Sequence, residues 1–190
     1  MGKLLNEAII YAVEKHDGKN RKGTSIPYIV HPLEAMAIVS SITEDEELMA
    51  AAVLHDTVED TDATVEEIET KFGAKVAKLV ASESENKREE LPESETWKQR
   101  KEETIAHLKF ADLETRIVCL GDKLSNIRAI ERDYEKLGEE FWNRFNIKDK
   151  NEHGWYYSSL SYIFEQDPTL KDTNACREYA ERVYRVFKAH

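Results

Sequence analysis

The sequence predicts an all-α protein that forms a single domain over residues 1–190. Apolar positions recur three and four residues apart through most of the chain, as at Leu48, Ala51 and Ala52, and this spacing is typical of amphipathic helices. No stretch alternates apolar and polar residues as a half-buried strand does. The length of 190 residues with 41% hydrophobic residues suits one compact core. A bundle of about eight to ten helices is therefore expected.

The first two helices are separated by a long loop. The apolar positions from Leu5 to Val13 predict the first helix, which ends at Gly18. Residues 18–31 contain two further breaks in the helical pattern, at Gly23 and Pro27, and are expected to form a loop. A second helix is predicted to begin at Pro32, because proline is favoured at the first helical position.

The next two helices lie in an apolar and then a charged stretch. Leu48 to His55 form the third helix, and its pattern is expected to continue through the acidic residues that follow. Thr64 followed by Glu67 is a capping box. It predicts a short fourth helix that ends before Gly73.

Residues 82–96 are almost without apolar side chains and predict a long loop. A loop of this length in a small domain is more often functional or mobile than idle. Asp112 is a good N-cap and Gly138 a good stop for the helix between them. The helices of the C-terminal half are expected over about 95–110, 113–137, 149–166 and 173–188.

Charge and composition exclude several classes of partner. The chain has 27 Lys and Arg against 38 Asp and Glu, a net charge of −11, whereas nucleic acids and anionic membranes are bound by clustered cations. A small anionic ligand remains compatible, since it responds to the local field. No segment resembles a signal peptide or a membrane span, and Cys119 and Cys176 fit no CxxC pattern. A cytoplasmic protein is expected, and its oligomeric state is not predicted.

Four residues are candidate ligands of one divalent metal ion: His31, His55, Asp56 and Asp122. The adjacent His55 and Asp56 interrupt the apolar run AAAVLHDTVED, and Asp122 interrupts IVCLGDKL. An ionised Asp beside an apolar face is costly unless a cation compensates it. Each residue alone is better explained as a core histidine or half of an ion pair. Together, two imidazoles and two carboxylates suit Mn²⁺, Fe²⁺ or Zn²⁺ in an open coordination shell.

Glu59 and Asp60 follow the His55-Asp56 pair by four residues. They are candidate catalytic residues, because a carboxylate beside a metal can orient or deprotonate a water molecule. An acidic helix end without a catalytic role is the alternative interpretation.

The loop before His31 is locally basic, with Lys19, Arg21 and Lys22 close together. Arg can stack on a base or bind phosphate through its fork of donors. Arg21 and Lys22 are therefore candidate substrate-binding residues. A solvated turn is the alternative.

A second group of candidate substrate-binding residues lies later in the chain. Asn126 follows Asp122 by four residues and shares its helix face. The segment FWNRFN…HGWYY adds Arg144 and Tyr156, which could line a nucleotide pocket together with Trp142 and Tyr157. The last two are equally typical of a core.

Three motifs in this order resemble those of the RelA/SpoT-type HD-domain hydrolases of alarmones, especially the small standalone SpoT-like hydrolases of metazoans. They are RKGTSIPYIVHP from Arg21, HDTVEDT from His55 and DKLSNIR from Asp122. The resemblance covers about residues 5–165 and implies removal of pyrophosphate from the 3′ position of (p)ppGpp, giving GDP or GTP. It implies that Mn²⁺ is bound by the four candidate ligands. It also implies that Glu59 and Asp60 are the catalytic pair, and that Arg21, Lys22 and Asn126 contact the nucleotide.

Two alternatives follow from the same motifs. The loop RKGTSIPYI is one residue longer than the RKSGEPYI of bifunctional enzymes, so a related enzyme acting on the NADPH 2′-phosphate or on (p)ppApp is the nearest alternative. A non-catalytic nucleotide-binding module is disfavoured, because all six metal and acidic positions are intact.

Overall fold

The computed structural model describes residues 2–85, 88 and 90–188, which contain α-helices, one 3-10 helix and connecting turns. No β-strand occurs among these residues, apart from one isolated bridge between Asn20 and Pro27. The prediction of an all-α chain is confirmed. None of the described helices has both the length and the apolar character that crossing a membrane requires.

The helices follow one another closely along the chain. A 3-10 helix over Gly138–Arg144 lies between the eighth and ninth α-helices. In chain order the α-helices are α1 (Lys3–Lys15), α2 (Val30–Ser40), α3 (Glu46–Leu54), α4 (Thr57–Asp60), α5 (Val65–Phe72), α6 (Ala74–Glu83), α7 (Glu93–Phe110), α8 (Leu113–Leu137), α9 (Lys150–Gln166) and α10 (Asn174–Phe187).

The chain divides into two compact units, and α8 runs through both. The first unit comprises the residues up to Ser84 together with Leu113–Ser125. The second comprises Glu85–Asp112 and the residues from Asn126 onward. The interpretation of residues 1–190 as a single domain stays a prediction.

Helix α6 was not predicted. Val76, Leu79 and Val80 are buried on one face of it, so it is an ordinary amphipathic helix. The sequence does not reveal where α6 begins, because the same residue, Gly73 with a φ of 92°, ends α5 and directly precedes α6. Since α6 ends at Glu83 and α7 begins at Glu93, the loop predicted over 82–96 is shorter than expected. Residues 86, 87 and 89 of that loop lie outside the described residues.

The predicted continuous helix through the His55-Asp56 pair is wrong. Helix α3 ends at Leu54 and α4 begins at Thr57, so the pair forms the turn between them. The Thr57 hydroxyl donates to the Leu54 carbonyl at 2.6 Å, which satisfies an acceptor at the end of α3. Helix α2 also begins two residues before Pro32, at Val30. The capping prediction at Thr64 is confirmed, because its hydroxyl accepts from the Glu67 backbone N–H.

Close packing between α2 and α8 positions part of the first unit. A Cβ atom at Gly121 of α8 would lie 2.7 Å from Val39 Cγ2 and 2.9 Å from the Ala35 carbonyl oxygen. A larger residue would therefore push the two helices apart. The absence of a side chain at Gly121 brings its neighbour Asp122 towards α2, the helix that carries His31.

The second unit holds an ion-pair network between α8 and α10 that is largely half-buried. Glu131, 7% exposed, binds Arg182 and Arg185. Glu178 accepts from Arg128 Nε at 2.8 Å and Nη2 at 2.7 Å. Arg182 also donates to Glu178, at 2.8 Å. Hydrogen bonds from Arg128 above all hold the pKa of Glu178 at about 2.

The depressed pKa of Glu178 predicts an acid-sensitive contribution to stability. Its folded pKa lies below the unfolded value of about 4.3, so the contribution is present above that value and is lost as the pH falls towards 2. Glu178→Gln should lower the free energy of unfolding by about 1 kcal/mol near neutral pH, a figure reduced for solvent screening. Denaturant titrations of both proteins from neutral pH to acid should show this difference disappearing. A difference independent of pH would contradict the assignment.

Candidate metal centre

Side chains from two helices and one turn of the first unit converge on one point. His31 lies in the first turn of α2, His55 and Asp56 lie in the turn between α3 and α4, and Asp122 lies in α8. The two imidazole Nε2 atoms are 3.2 Å apart. Asp56 Oδ2 is 3.0 Å from Nε2 of His55 and 3.4 Å from that of His31. Asp122 Oδ1 is 3.1 Å from Nε2 of His31 and 3.5 Å from that of His55.

These separations fit a shared metal ion. Donor atoms about 2.1 Å from one ion lie about 3.0 Å apart in octahedral and about 3.4 Å apart in tetrahedral geometry. The contacts among the four side chains span 3.0 to 3.5 Å. One donor atom from each of His31, His55 and Asp122 also lies within 4.8 Å of the other two. The mixed nitrogen and oxygen set suits a divalent transition metal.

The four side chains form a charged cluster in a buried setting. His31, His55 and Asp122 are 2–4% exposed. Burial alone disfavours charge on each group, but the attraction between opposite charges outweighs it. The carboxylates of Asp56 and Asp122 raise the pKa of His55 well above its usual value. The imidazoles hold the pKa of Asp56 well below its usual value. Lys123, which pairs with Asp122, does the same for Asp122 together with the imidazoles. Lys123 contacts Oδ2 of Asp122, whereas Oδ1 lies beside the imidazoles, as a metal-ligating oxygen would.

Both imidazoles present Nε2 to the cluster because Nδ1 is occupied elsewhere. His55 Nδ1 lies 2.7 Å from the Ala52 carbonyl oxygen, which can only accept. His31 Nδ1 lies 2.8 Å from the Ser125 hydroxyl. A ligating histidine usually binds such a partner through its second ring nitrogen.

Tyr28 is a residue of this site that the sequence interpretation did not identify. Its hydroxyl lies 2.6 Å from Asp56 Oδ2 and 3.0 Å from Asp60 Oδ2. Burial, together with the charges of Asp56 and Asp60, raises the pKa of Tyr28, so it remains a neutral donor. The guanidinium carbon of Arg21 is 5.5 Å from the centre of its ring. The one available signal is its position in the loop, three residues before His31.

Tyr28 links the candidate metal ligands to the acidic pair. Asp60, the last residue of α4, is held within hydrogen-bond reach of the same hydroxyl as Asp56. The Lys19 ammonium donates to the Asp60 backbone carbonyl, so the basic loop and α4 are joined. Glu59 is half-buried in α4, and Lys22 is exposed. The structure thus brings Asp60 and Arg21 close to Tyr28, in the same unit as the metal cluster.

The remaining predicted substrate-binding residues belong to the second unit. Asn126 is half-buried in α8. Arg144 donates to Asp133 at 2.8 Å and lies over the Phe141 ring. Tyr156 is only 3% exposed. The substrate contacts of Asn126, Arg144 and Tyr156 stay predictions. Trp142 and Tyr157 are buried core residues.

Comparison with known proteins gives consistent matches. The HD domain family model matches residues 8–145. MESH1 of Danio rerio, a guanosine-3′,5′-bis(diphosphate) 3′-pyrophosphohydrolase, is 34% identical over 187 residues, which are 97% of this chain and 92% of the relative. GTP pyrophosphokinase rsh of Brucella ovis is 36% identical over 127 residues, which are 67% of this chain but 17% of that longer protein.

A solved structure is similar over almost the whole chain. It is that of a metazoan ortholog of SpoT, described as hydrolysing ppGpp and playing a role in starvation responses. The TM-score is 0.72 at 26% identity, and the match covers 96% of this chain and 94% of the other.

Proposed function

We propose that this chain, which belongs to the HD domain family, is a metal-dependent hydrolase. It removes pyrophosphate from the 3′ position of (p)ppGpp and leaves GDP or GTP. Support comes from a relative named for this reaction, which is matched over 92% of its length. The observation that carries the proposal is the convergence of two imidazoles and two carboxylates with Asp60 nearby. We expect this reaction to take place in the cytoplasm, on a small-molecule nucleotide.

The four converging side chains are the proposed metal ligands: His31, His55, Asp56 and Asp122. We propose Mn²⁺ as the ion, although the same donors suit other divalent transition metals. When bound, the ion supplies Lewis-acid polarisation of phosphate and acidification of water. The side chains already stand at ligand spacing, so binding requires little rearrangement of the described residues.

Asp60 and Glu59 are the proposed catalytic residues. Hydrolysis requires that the attacking water lose a proton, and a carboxylate within hydrogen-bond reach can accept it. Tyr28 holds Asp60 beside the ligand Asp56, with contacts of 3.0 and 2.6 Å to the two carboxylates. Asp60 is therefore the better placed of the pair to act on water at the metal.

Arg21 and Lys22 are the proposed cations for the nucleotide. The substrate carries several phosphate charges, and the chain as a whole carries −11. Binding must therefore depend on the local field of the ion and of nearby cations rather than on the total charge. Arg21 is half-buried against the Tyr28 ring, a position from which its planar group can contact a base or a phosphate.

A panel of nucleotides tests the proposed function. The purified protein is incubated with Mn²⁺ and, separately, with ppGpp, pppGpp, ppApp and NADPH, and the products are separated by chromatography. We expect GDP and pyrophosphate from ppGpp, and GTP and pyrophosphate from pppGpp. Release of phosphate from NADPH with ppGpp left intact would favour the related enzyme instead. Turnover of none of the four would contradict an enzymatic role.

A further inference from the structure

We infer that Glu34 and Ser125 are positioning residues that fix the proton of His31 on Nδ1 and so keep Nε2 available to a metal ion. The inference rests on the proposed metal site, and it names two residues that the proposed function does not use. It concerns the ability of the first unit to bind metal, whatever nucleotide is hydrolysed.

The three side chains form a continuous hydrogen-bonded chain behind the cluster. His31 Nδ1 lies 2.8 Å from Ser125 Oγ, and Ser125 Oγ lies 2.7 Å from Glu34 Oε2. Ser125 is fully buried and His31 is 3% exposed. Glu34 follows His31 by three residues on α2, and Ser125 follows Asp122 by three residues on α8. Each thus lies one helical turn from a proposed ligand.

The chemistry of the three groups sets the direction of both hydrogen bonds. An ionised carboxylate only accepts, so the Ser125 hydroxyl donates its single proton to Glu34. The serine oxygen can then only accept from His31, so the imidazole carries its proton on Nδ1. The lone pair of the neutral ring is left on Nε2, the atom that lies 3.2 Å from His55 Nε2 and 3.1 Å from Asp122 Oδ1.

His55 provides an internal comparison. Its Nδ1 lies 2.7 Å from the backbone carbonyl of Ala52, so the main chain fixes its tautomer and no side-chain substitution reverses it. The partner of His31 is a hydroxyl, which can donate or accept. Without Glu34, Ser125 could donate to Nδ1 and move the ring proton to Nε2, the metal-facing atom. By accepting the Ser125 proton, Glu34 prevents Ser125 from donating to Nδ1.

Glu34→Gln and Ser125→Ala test the inference. The probe is Mn²⁺ alone, titrated calorimetrically into metal-free protein, with circular dichroism as the check on folding. We expect each variant to bind Mn²⁺ about 10- to 100-fold more weakly, the usual loss for outer partners of a metal ligand. Glu69→Gln, which removes an exposed carboxylate on α5, is the matched control and should bind as the parent does.

The double variant separates positioning from a general effect of charge. If Glu34 acts through Ser125, adding Glu34→Gln to Ser125→Ala should cause no further loss of Mn²⁺ affinity. An additive loss in the double variant would overturn the inference. So would Mn²⁺ binding of parental affinity by folded Glu34→Gln or Ser125→Ala protein.

These outcomes differ from those that test the proposed function. The variants could bind Mn²⁺ more weakly while the parent protein leaves ppGpp intact. This result would support the positioning role and contradict the proposed substrate. Hydrolysis of ppGpp together with unchanged Mn²⁺ affinity in the variants would support the function and contradict the positioning role.

Discussion

Asp122→Asn should abolish Mn²⁺ binding and ppGpp hydrolysis together. Asp122 Oδ1 contacts both imidazoles, at 3.1 and 3.5 Å, and asparagine keeps the shape of the side chain while removing its charge. The loss of affinity should exceed the roughly 10- to 100-fold typical of outer partners, because a ligand itself is changed. Calorimetric titration with Mn²⁺ and assay of GDP formation are the two measurements.

Thermal unfolding adds an independent readout for this variant. An ion that binds only the folded state at about 100 times its Kd stabilises that state by about 2.7 kcal/mol. The parent protein should therefore melt at a higher temperature with Mn²⁺, and Asp122→Asn should not respond. Asp62→Asn, at an exposed carboxylate that pairs with Lys15, is the control and should respond as the parent does. A Mn²⁺-dependent shift retained in Asp122→Asn would contradict its assignment as a ligand.

Asp60→Asn should lower turnover by orders of magnitude and leave metal binding intact. The loss of a general base typically lowers kcat by about 10²- to 10⁴-fold. Asp60 is linked to the metal cluster through the Tyr28 hydroxyl, at 3.0 Å, so Mn²⁺ affinity should remain close to that of the parent. Steady-state kinetics with ppGpp and calorimetry with Mn²⁺ provide the two values.

The two acidic residues of α4 should differ in effect. Because Asp60 shares the Tyr28 hydroxyl with Asp56, Asp60→Asn should lower kcat more than Glu59→Gln does. Asp62→Asn, two residues beyond Asp60, serves again as the control with unchanged kcat. A kcat equal to that of the parent in Asp60→Asn would contradict a catalytic role for Asp60. A loss of Mn²⁺ binding would instead indicate that Asp60 is a metal ligand.

The helical class and the cluster of His31, His55, Asp56 and Asp122 could be anticipated because each depends on a local signal. Helical spacing repeats every few residues, and a carboxylate inside an apolar run is conspicuous wherever it occurs. The structure brings these four side chains to ligand spacing, although their roles as ligands remain proposals. The break between α3 and α4 was missed because a hydrophobic pattern does not reveal that Thr57 binds the Leu54 carbonyl.

The supporting residues could not be anticipated because their contacts join distant parts of the chain. Tyr28 meets Asp60 across 32 residues and Ser125 meets Glu34 across 91, and nothing in the local sequence marks either pair. The substrate-binding roles of Arg144 and Tyr156 stay predictions, because their sequence pattern fits two interpretations. Aromatic residues alternating with Arg are compatible with both a nucleotide pocket and a packed core, and the burial of Tyr156 at 3% exposed favours the core.

Hydrolysis of ppGpp in ¹⁸O-labelled water, by protein stripped of metal and then resupplied with Mn²⁺, tests the central claim most directly. Water attack on the phosphorus attached to the 3′ oxygen breaks that P–O bond, and the 3′ oxygen leaves with a proton. We predict no turnover before Mn²⁺ is added, then equal amounts of GDP and pyrophosphate, with the label in pyrophosphate. Equal turnover without metal, stepwise release of single phosphates, or label in GDP would contradict the proposed reaction.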